Sequence, residues 1–245
     1  MNYENENWMT YFTKDSTWKT TVTIGSLLIL ISLVITGIAQ PEEGATPNLS
    51  LMVGVLLIYS FLSCYIQGFY MKNTNSLIVN NVIKLANFAD FLELFLIGLK
   101  YYAGMLLYLL IMYGISMAIF MPMFLNKSFN VFLFMIPLLI LVPLFVFAVI
   151  YAGFSYSEHL TFSSIFSFRK FGKYKVGKFI GFNCLFWVVF IVIAIIINLM
   201  IKDIKVAEYG FYIVISPVMF IYSLLISKIQ ADSIKETMIP TKSVN

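Results

Sequence analysis

The chain has 245 residues, of which 60% are hydrophobic and 11% charged, and its mean hydropathy is +0.90. A soluble domain carries roughly a quarter charged residues, so 16 Lys and Arg with 12 Asp and Glu are too few to cover a water-facing globule of this length. This excludes a soluble enzyme, a disordered chain and, despite the net charge of +4, a nucleic-acid binder; it defines an all-α integral membrane protein.

In chain order, a polar leader (1–19) precedes six apolar runs that reach spanning length, roughly 18 to 25 residues each. They lie at about Thr20–Ala39, Leu51–Tyr70, Tyr101–Met121, Val131–Phe154, Phe179–Ile201 and Tyr209–Ser227. None has Asp, Glu, Lys, Arg or His in its interior. The division expected is an N-terminal tail at 1–19, one transmembrane domain at 20–228 and a C-terminal tail at 229–245. Gly37-Ile38-Ala39 would suit cleavage of the first span as a signal peptide, which would leave five spans. Against cleavage, the leader carries Glu4, Glu6 and Asp15 beside Lys14 and Lys19, whereas secretory leaders are short and positive.

Orientation follows from Lys and Arg, which are retained on the cytoplasmic side. Lys14, Lys19, Lys72, Lys84, Lys100, Arg169, Lys170, Lys173, Lys175, Lys178, Lys228, Lys235 and Lys242 fall on one side; Lys127, Lys202 and Lys205 fall on the other. Thirteen against three, accounting for all 16, places both termini in the cytoplasm of a multi-pass cell-membrane protein.

The inner loops are apolar rather than plain linkers. Leu77, Ile78, Val82, Ile83, Leu85 and Ala86 recur against Asn80, Asn81, Lys84 and Asn87 with helical period, which predicts an amphipathic helix in the interface plane or beneath the bundle. A break is expected near Phe88-Ala89-Asp90, then a short helix towards Gly98. Phe162, Ile165, Phe166 and Phe168 repeat the plan in the later loop. Two short matches accompany it: Lys100-Tyr101-x-x-Gly104 with Lys173-Tyr174-x-x-Gly177, and Gly68-Phe69 with Gly153-Phe154. Together they would imply a parallel internal duplication.

The stretch from Phe88 to Tyr101, FADFLELFLIGLKY, preceded by Gly68-Phe69-Tyr70, resembles the DUF4013 family of prokaryotic multi-span membrane proteins of unknown function. The opening Tyr11–Lys19, YFTKDSTWK, is similar to that family's start, so the resemblance covers roughly the first two thirds of the chain. Asn87 and Phe88 stand where the family often has proline and tryptophan. The resemblance implies no catalytic residues.

Few residues suggest chemistry. Gly172 to Lys178 satisfies G-x-x-x-x-G-K, but Phe179 stands where a phosphate loop needs Ser or Thr, and no strand is expected before it. The cluster Arg169, Lys170, Lys173, Lys175 and Lys178, interleaved with aromatics, suits anionic lipid headgroups, worth about 1 kcal/mol per cation at the surface; the same charges also set topology. His159, the single histidine, adjoins Glu158 as an interfacial polar pair, and with Cys64 and Cys184 apart within spans no zinc set forms. The cysteines are expected to be inert buried thiols. Mid-membrane polarity is slight and uncharged, with Asn198, Ser60, Ser63, Ser116 and Ser216 among it, which disfavours an ion-coupled carrier. Pro137, Pro143 and Pro217 are expected to kink their helices. Gly114 with Ala118, and Gly177 with Gly181, are spaced for close helix packing.

These features lead to a non-catalytic membrane protein without cofactors, acting through lipids or another membrane protein as an accessory, assembly or immunity-type factor. A permease subunit of the ABC kind, docking a cytoplasmic ATPase on Leu77–Ala86 or Phe162–Phe168, is the alternative. A lipid-active enzyme built on Glu158 and His159 stands last.

Overall fold

The computed structural model describes residues 15–38, 48–80, 85–125, 131–167, 173–200 and 204–238. Among them are six α-helices, α1 Trp18–Ile38, α2 Leu49–Asn80, α3 Phe91–Leu125, α4 Val131–His159, α5 Gly177–Met200 and α6 Ile204–Met238, with a 3₁₀ segment at Phe162–Phe166 and no strand. Five of the helices, all but α5, are long and apolar enough to cross a membrane over their described residues.

The helices alternate in direction. Contacts gather the start of α1, the end of α2, the start of α3, the end of α4, the start of α5 and the end of α6 at one end of the bundle. Asp15 Oδ2 accepts from Leu85 N at 2.9 Å, Asn75 reaches Ser157, and Lys178 reaches Glu236. Among the described residues this end carries Lys19, Lys72, Lys173, Lys175, Lys178 and Lys228, while Lys205 lies in the first turn of α6 at the other end.

Three clusters fill the same end. Tyr65, Phe69, Phe88, Leu94, Phe220 and Leu224 form one, with α1 laid against it through Val22, Leu28 and Ile29. Leu77, Ile78, Phe154, Tyr174, Ala231 and Ile234 form the second. Met71, Ile97, Tyr108, Ala152, Tyr156 and Ile165 form the third.

The inner loops depart from expectation. The stripe at Leu77–Ala86 is not a separate interfacial helix: α2 runs unbroken to Asn80, burying Leu77 and Ile78 against α4 and α6. A helical period reads the same in either case, and residues 71–80 contain no Gly or Pro to stop α2 at Tyr70. Leu85 and Ala86 are non-helical and buried; Val82, Ile83 and Lys84 lie outside the described residues. The break at Phe88-Ala89-Asp90 is present, with Ala89 N donating to Asn87 Oδ1 at 3.0 Å and Asp90 N to Asn87 O at 3.1 Å. Beyond it there is no separate short helix: Phe91 to Gly98 are the first turns of α3, with Glu93 favourably placed near the N-terminus. Past the boundary drawn at 229, α6 continues to Met238 and packs Gln230, Ala231, Ser233 and Ile234 inside.

The tightest crossing is between α2 and α3. A Cβ on Gly68 would stand 1.7 Å from Leu94 O, and one on Gly98 would stand 1.7 Å from Cys64 O. The two backbones therefore touch, at a distance where Cα–H···O contacts form. The glycines singled out from spacing behave otherwise. Gly114 and Ala118 are exposed, and Gly114, Gly177 and Gly181 have no neighbour within 4 Å of such a Cβ among the described residues.

Candidate functional site

The polar residues that the sequence spreads over one loop and two helix ends meet at the charged end of the bundle. α4 is apolar until its last turns, where Ser155, Tyr156, Ser157 and Glu158 are all buried. A helix C-terminus leaves carbonyls without partners, and Asn75 Nδ2 of α2 donates to two of them, Ser157 O at 3.0 Å and Glu158 O at 2.8 Å. Ser157 Oγ donates to Phe154 O at 2.9 Å and accepts from Gln230 Nε2 of α6 at 2.9 Å. Tyr174 Oη donates to Glu158 Oε2 at 2.7 Å, which ties the entry to α5 onto α4. Burial first, and then the Glu158 carboxylate, raise the Tyr174 phenol well above its ordinary range, keeping it a donor.

The chain leaves α4 through Leu160, at φ 51°. This left-handed conformation is costly for a branched side chain. It turns the 3₁₀ segment back under the bundle, where Ile165 is 2% exposed and its carbonyl accepts from Tyr108 Oη at 2.9 Å. Tyr156 Oη likewise donates to Ile97 O at 2.5 Å.

A second cluster closes the α2–α3 turn. Lys72 Nζ donates to Glu93 Oε2 at 2.7 Å and Asp90 Oδ2 at 3.2 Å. Asn73 Oδ1 accepts from Ala86 N at 2.6 Å, and Asp15 Oδ2 accepts from Leu85 N at 2.9 Å. Side chains thus satisfy backbone donors of the irregular segment, as burial demands.

The described members of the basic cluster lie at the surface, two of them paired with Glu236. Lys175 and Lys178 lie 3.4 and 2.9 Å from Glu236 carboxylate oxygens, Lys173 is exposed, and Arg169 and Lys170 lie outside the described residues. Gly177 begins α5 in the glycine-lysine match, while Gly172 is outside the described residues. His159 Nε2 is 3.6 Å from Glu158 Oε1, with Glu158 buried and His159 half exposed. Ser157 gives its proton to a helix carbonyl, so the described geometry supplies it no base. Cys64 is buried, but Cys184 is exposed on α5, contrary to the expected pair of buried thiols. No group of three or more His, Cys, Asp or Glu placed to hold a metal occurs among the described residues. α4 and α6 remain helical through Pro137, Pro143 and Pro217; the side chain of Pro137 is outside the description. Pro217 cannot donate to Ile213 O, and Ser216 Oγ approaches that carbonyl at 3.4 Å instead.

Asn75 and Gln230 carry no expectation because they sit in stretches read as loop or tail, and Tyr174 stands only as part of a short internal match. Their signal was helical spacing, Asn75 with the buried face of α2 and Gln230 with Ser223 and Ser227. Replacing Tyr174 by Phe should lower stability by about 1–2 kcal/mol, since Glu158 loses a buried donor. Lys178→Ala, at an exposed pair, should stay within about 0.5 kcal/mol. Thermal unfolding of both variants in the same detergent checks the contrast.

An all-helical bundle in which five of the described helices are long and apolar enough to cross a membrane has the character of a multi-pass membrane protein. Comparison with family models, curated proteins and solved structures finds no match to this chain.

Proposed function

We propose that the chain crosses the cell membrane six times with both termini in the cytoplasm, and that it is a non-catalytic factor acting by assembly with another membrane protein. α5 supplies the sixth crossing, since its 24 residues reach about 36 Å. The observation that carries the assembly reading is how unevenly the helices are covered. Along the middle of their helices, Leu106, Leu109, Leu110, Ile111 and Tyr113 of α3 are 52–65% exposed, and Leu185, Val188, Ile191 and Ile195 of α5 are comparable. At about 100° per residue, the exposed residues of each helix sweep roughly two thirds of its circumference. α5 packs chiefly against α6.

Lipid covers such surfaces at no hydrophobic cost, and packing against a partner's helices adds van der Waals contact. The permease alternative is less well supported, because Leu77, Ile78 and Ile165, needed to dock an ATPase, are buried within the chain itself.

Photo-crosslinkers at Leu109 and Val188 in native membranes should give a protein adduct of one defined mass, absent from a crosslinker at buried Phe220. Lipid adducts alone at both positions would overturn assembly. Orientation is tested separately, with Cys64 and Cys184 replaced by Ala. A cysteine at Glu43 should label from outside and one at Lys173 should not; the reverse pattern inverts the topology.

A further inference from the structure

Between α2 and α6, beside the Ser157–Gln230 contact, lies a cavity of about 140 Å³ whose walls include Gln67, Tyr70, Thr74, Ser223, Ser227 and Gln230. A single buried water needs only roughly 10–15 Å³ measured this way, so the space is about tenfold larger than one water requires. No charged side chain among the described residues lines it. An anion would find no cation there and a cation no carboxylate, so burying either would be costly. An apolar occupant would strand the polar walls.

The hydrogen-bonding pattern narrows the choice. Thr74 Oγ1 donates to Tyr70 O at 3.0 Å, Ser223 Oγ to Met219 O at 2.9 Å and Ser227 Oγ to Ser223 O at 2.9 Å. The hydroxyl protons are therefore spent on helix carbonyls, and these side chains have lone pairs left to offer. Tyr70 Oη is buried beside Ser223 without a hydrogen bond of ordinary geometry among the described residues. A buried phenol in that state is costly unless something fills the role. Gln67 adds a carboxamide that can donate and accept.

We propose that this cavity binds an uncharged polyol, a ligand with several O–H donors for the lone pairs and one acceptor for Tyr70. The cavity lies at the inner ends of two predicted spans, Leu51–Tyr70 and Tyr209–Ser227, which is headgroup depth. The polyol is therefore either the sugar headgroup of a neutral glycolipid or a free sugar from the cytoplasm. Only this depth rests on the six-span reading; the free-sugar arm of the test does not.

The full chain is placed in phosphatidylcholine nanodiscs with and without monoglucosyl diacylglycerol, and separately in detergent with free glucose. A saturable rise in unfolding temperature with the glycolipid alone assigns the headgroup, and a rise with glucose assigns the soluble sugar. No rise with either overturns the proposal, as does an equal rise with phosphatidylglycerol. Tyr70→Phe should change the ligand-free unfolding temperature little, because among the described residues its hydroxyl only lies beside Ser223 without ordinary hydrogen-bond geometry, and should weaken the ligand response by about tenfold, the value of one hydrogen bond. If Tyr70→Phe destabilises the ligand-free chain, Ser227→Ala replaces it with the same criterion. A wild-type response in a stable variant overturns the site.

Discussion

Gly98→Ala is expected to lower stability by about 3 kcal/mol or more, the upper part of the range for overpacking a filled interior. The reason is the identity of the obstacle. The new methyl would meet Cys64 O at 1.7 Å, with the carbonyl carbon at 2.6 Å and Cα at 3.0 Å, all backbone of α2. A side chain could rotate away, but a helix backbone moves only if the whole crossing opens. Gly68→Ala meets Leu94 O in the same way and should cost as much. The two effects should not add, since either one separates the same pair of helices. Gly114→Ala is the control: it has open space around it, so removing a flexible glycine from a helix should be neutral or stabilising by roughly 0.5–1 kcal/mol. Unfolding of the three variants in one detergent would decide the matter, and equal loss in all three would show that the crossing is not what holds α2 to α3.

Phe69→Ala should be comparably damaging, at about 3–5 kcal/mol. Phe69 is fully buried and stacks on Phe88 at 4.2 Å between ring centroids, with Phe220 5.7 Å away. It thus joins α2, the α2–α3 turn and α6 through one side chain. Phe220 in turn fills the space beside Gly25, where a Cβ would fall 1.9 Å from its ring, so the same cluster holds α1. Losing Phe69 should therefore increase protease access to the irregular segment Leu85–Asp90 before global unfolding. Limited proteolysis beside a thermal melt reads both effects. An unchanged cleavage pattern with the full stability loss would mean that the turn is held by its hydrogen bonds to Asn73 and Asp15 alone.

Where the expectations failed, they failed for one kind of reason. The stripe from Leu77 to Ala86 was legible as helix, and most of it was assigned to the wrong helix. Amphipathic periodicity specifies a buried face without specifying what buries it. Residues 229–238 looked like a tail because Lys228, Asp232, Lys235 and Glu236 interrupt the apolar run. Yet Gln230, Ala231, Ser233 and Ile234 occupy the opposite face and are buried, while Lys228 pairs with Asp232 at 2.6 Å along the solvent side. Small-residue spacing pointed to Gly114 and Gly177 and passed over Gly68 and Gly98, which are 30 residues apart and have no local pattern to link them. Their importance exists only once α2 and α3 cross.

Legible in the sequence alone were the helical membrane class, the break at Phe88–Asp90 and the gathering of most Lys near one end of the described helices. These are local properties: a run of apolar side chains, or a lysine beside it, has much the same free energy of transfer into a bilayer whatever its neighbours are. Only the tertiary structure decided that Asn75, Tyr174 and Gln230 converge on the end of α4, that Gly68 and Gly98 form the closest contact, and that a polar cavity opens between α2 and α6. Those features depend on which faces meet, and a pairwise contact between residues far apart in the chain leaves no mark in the composition or period of either segment alone.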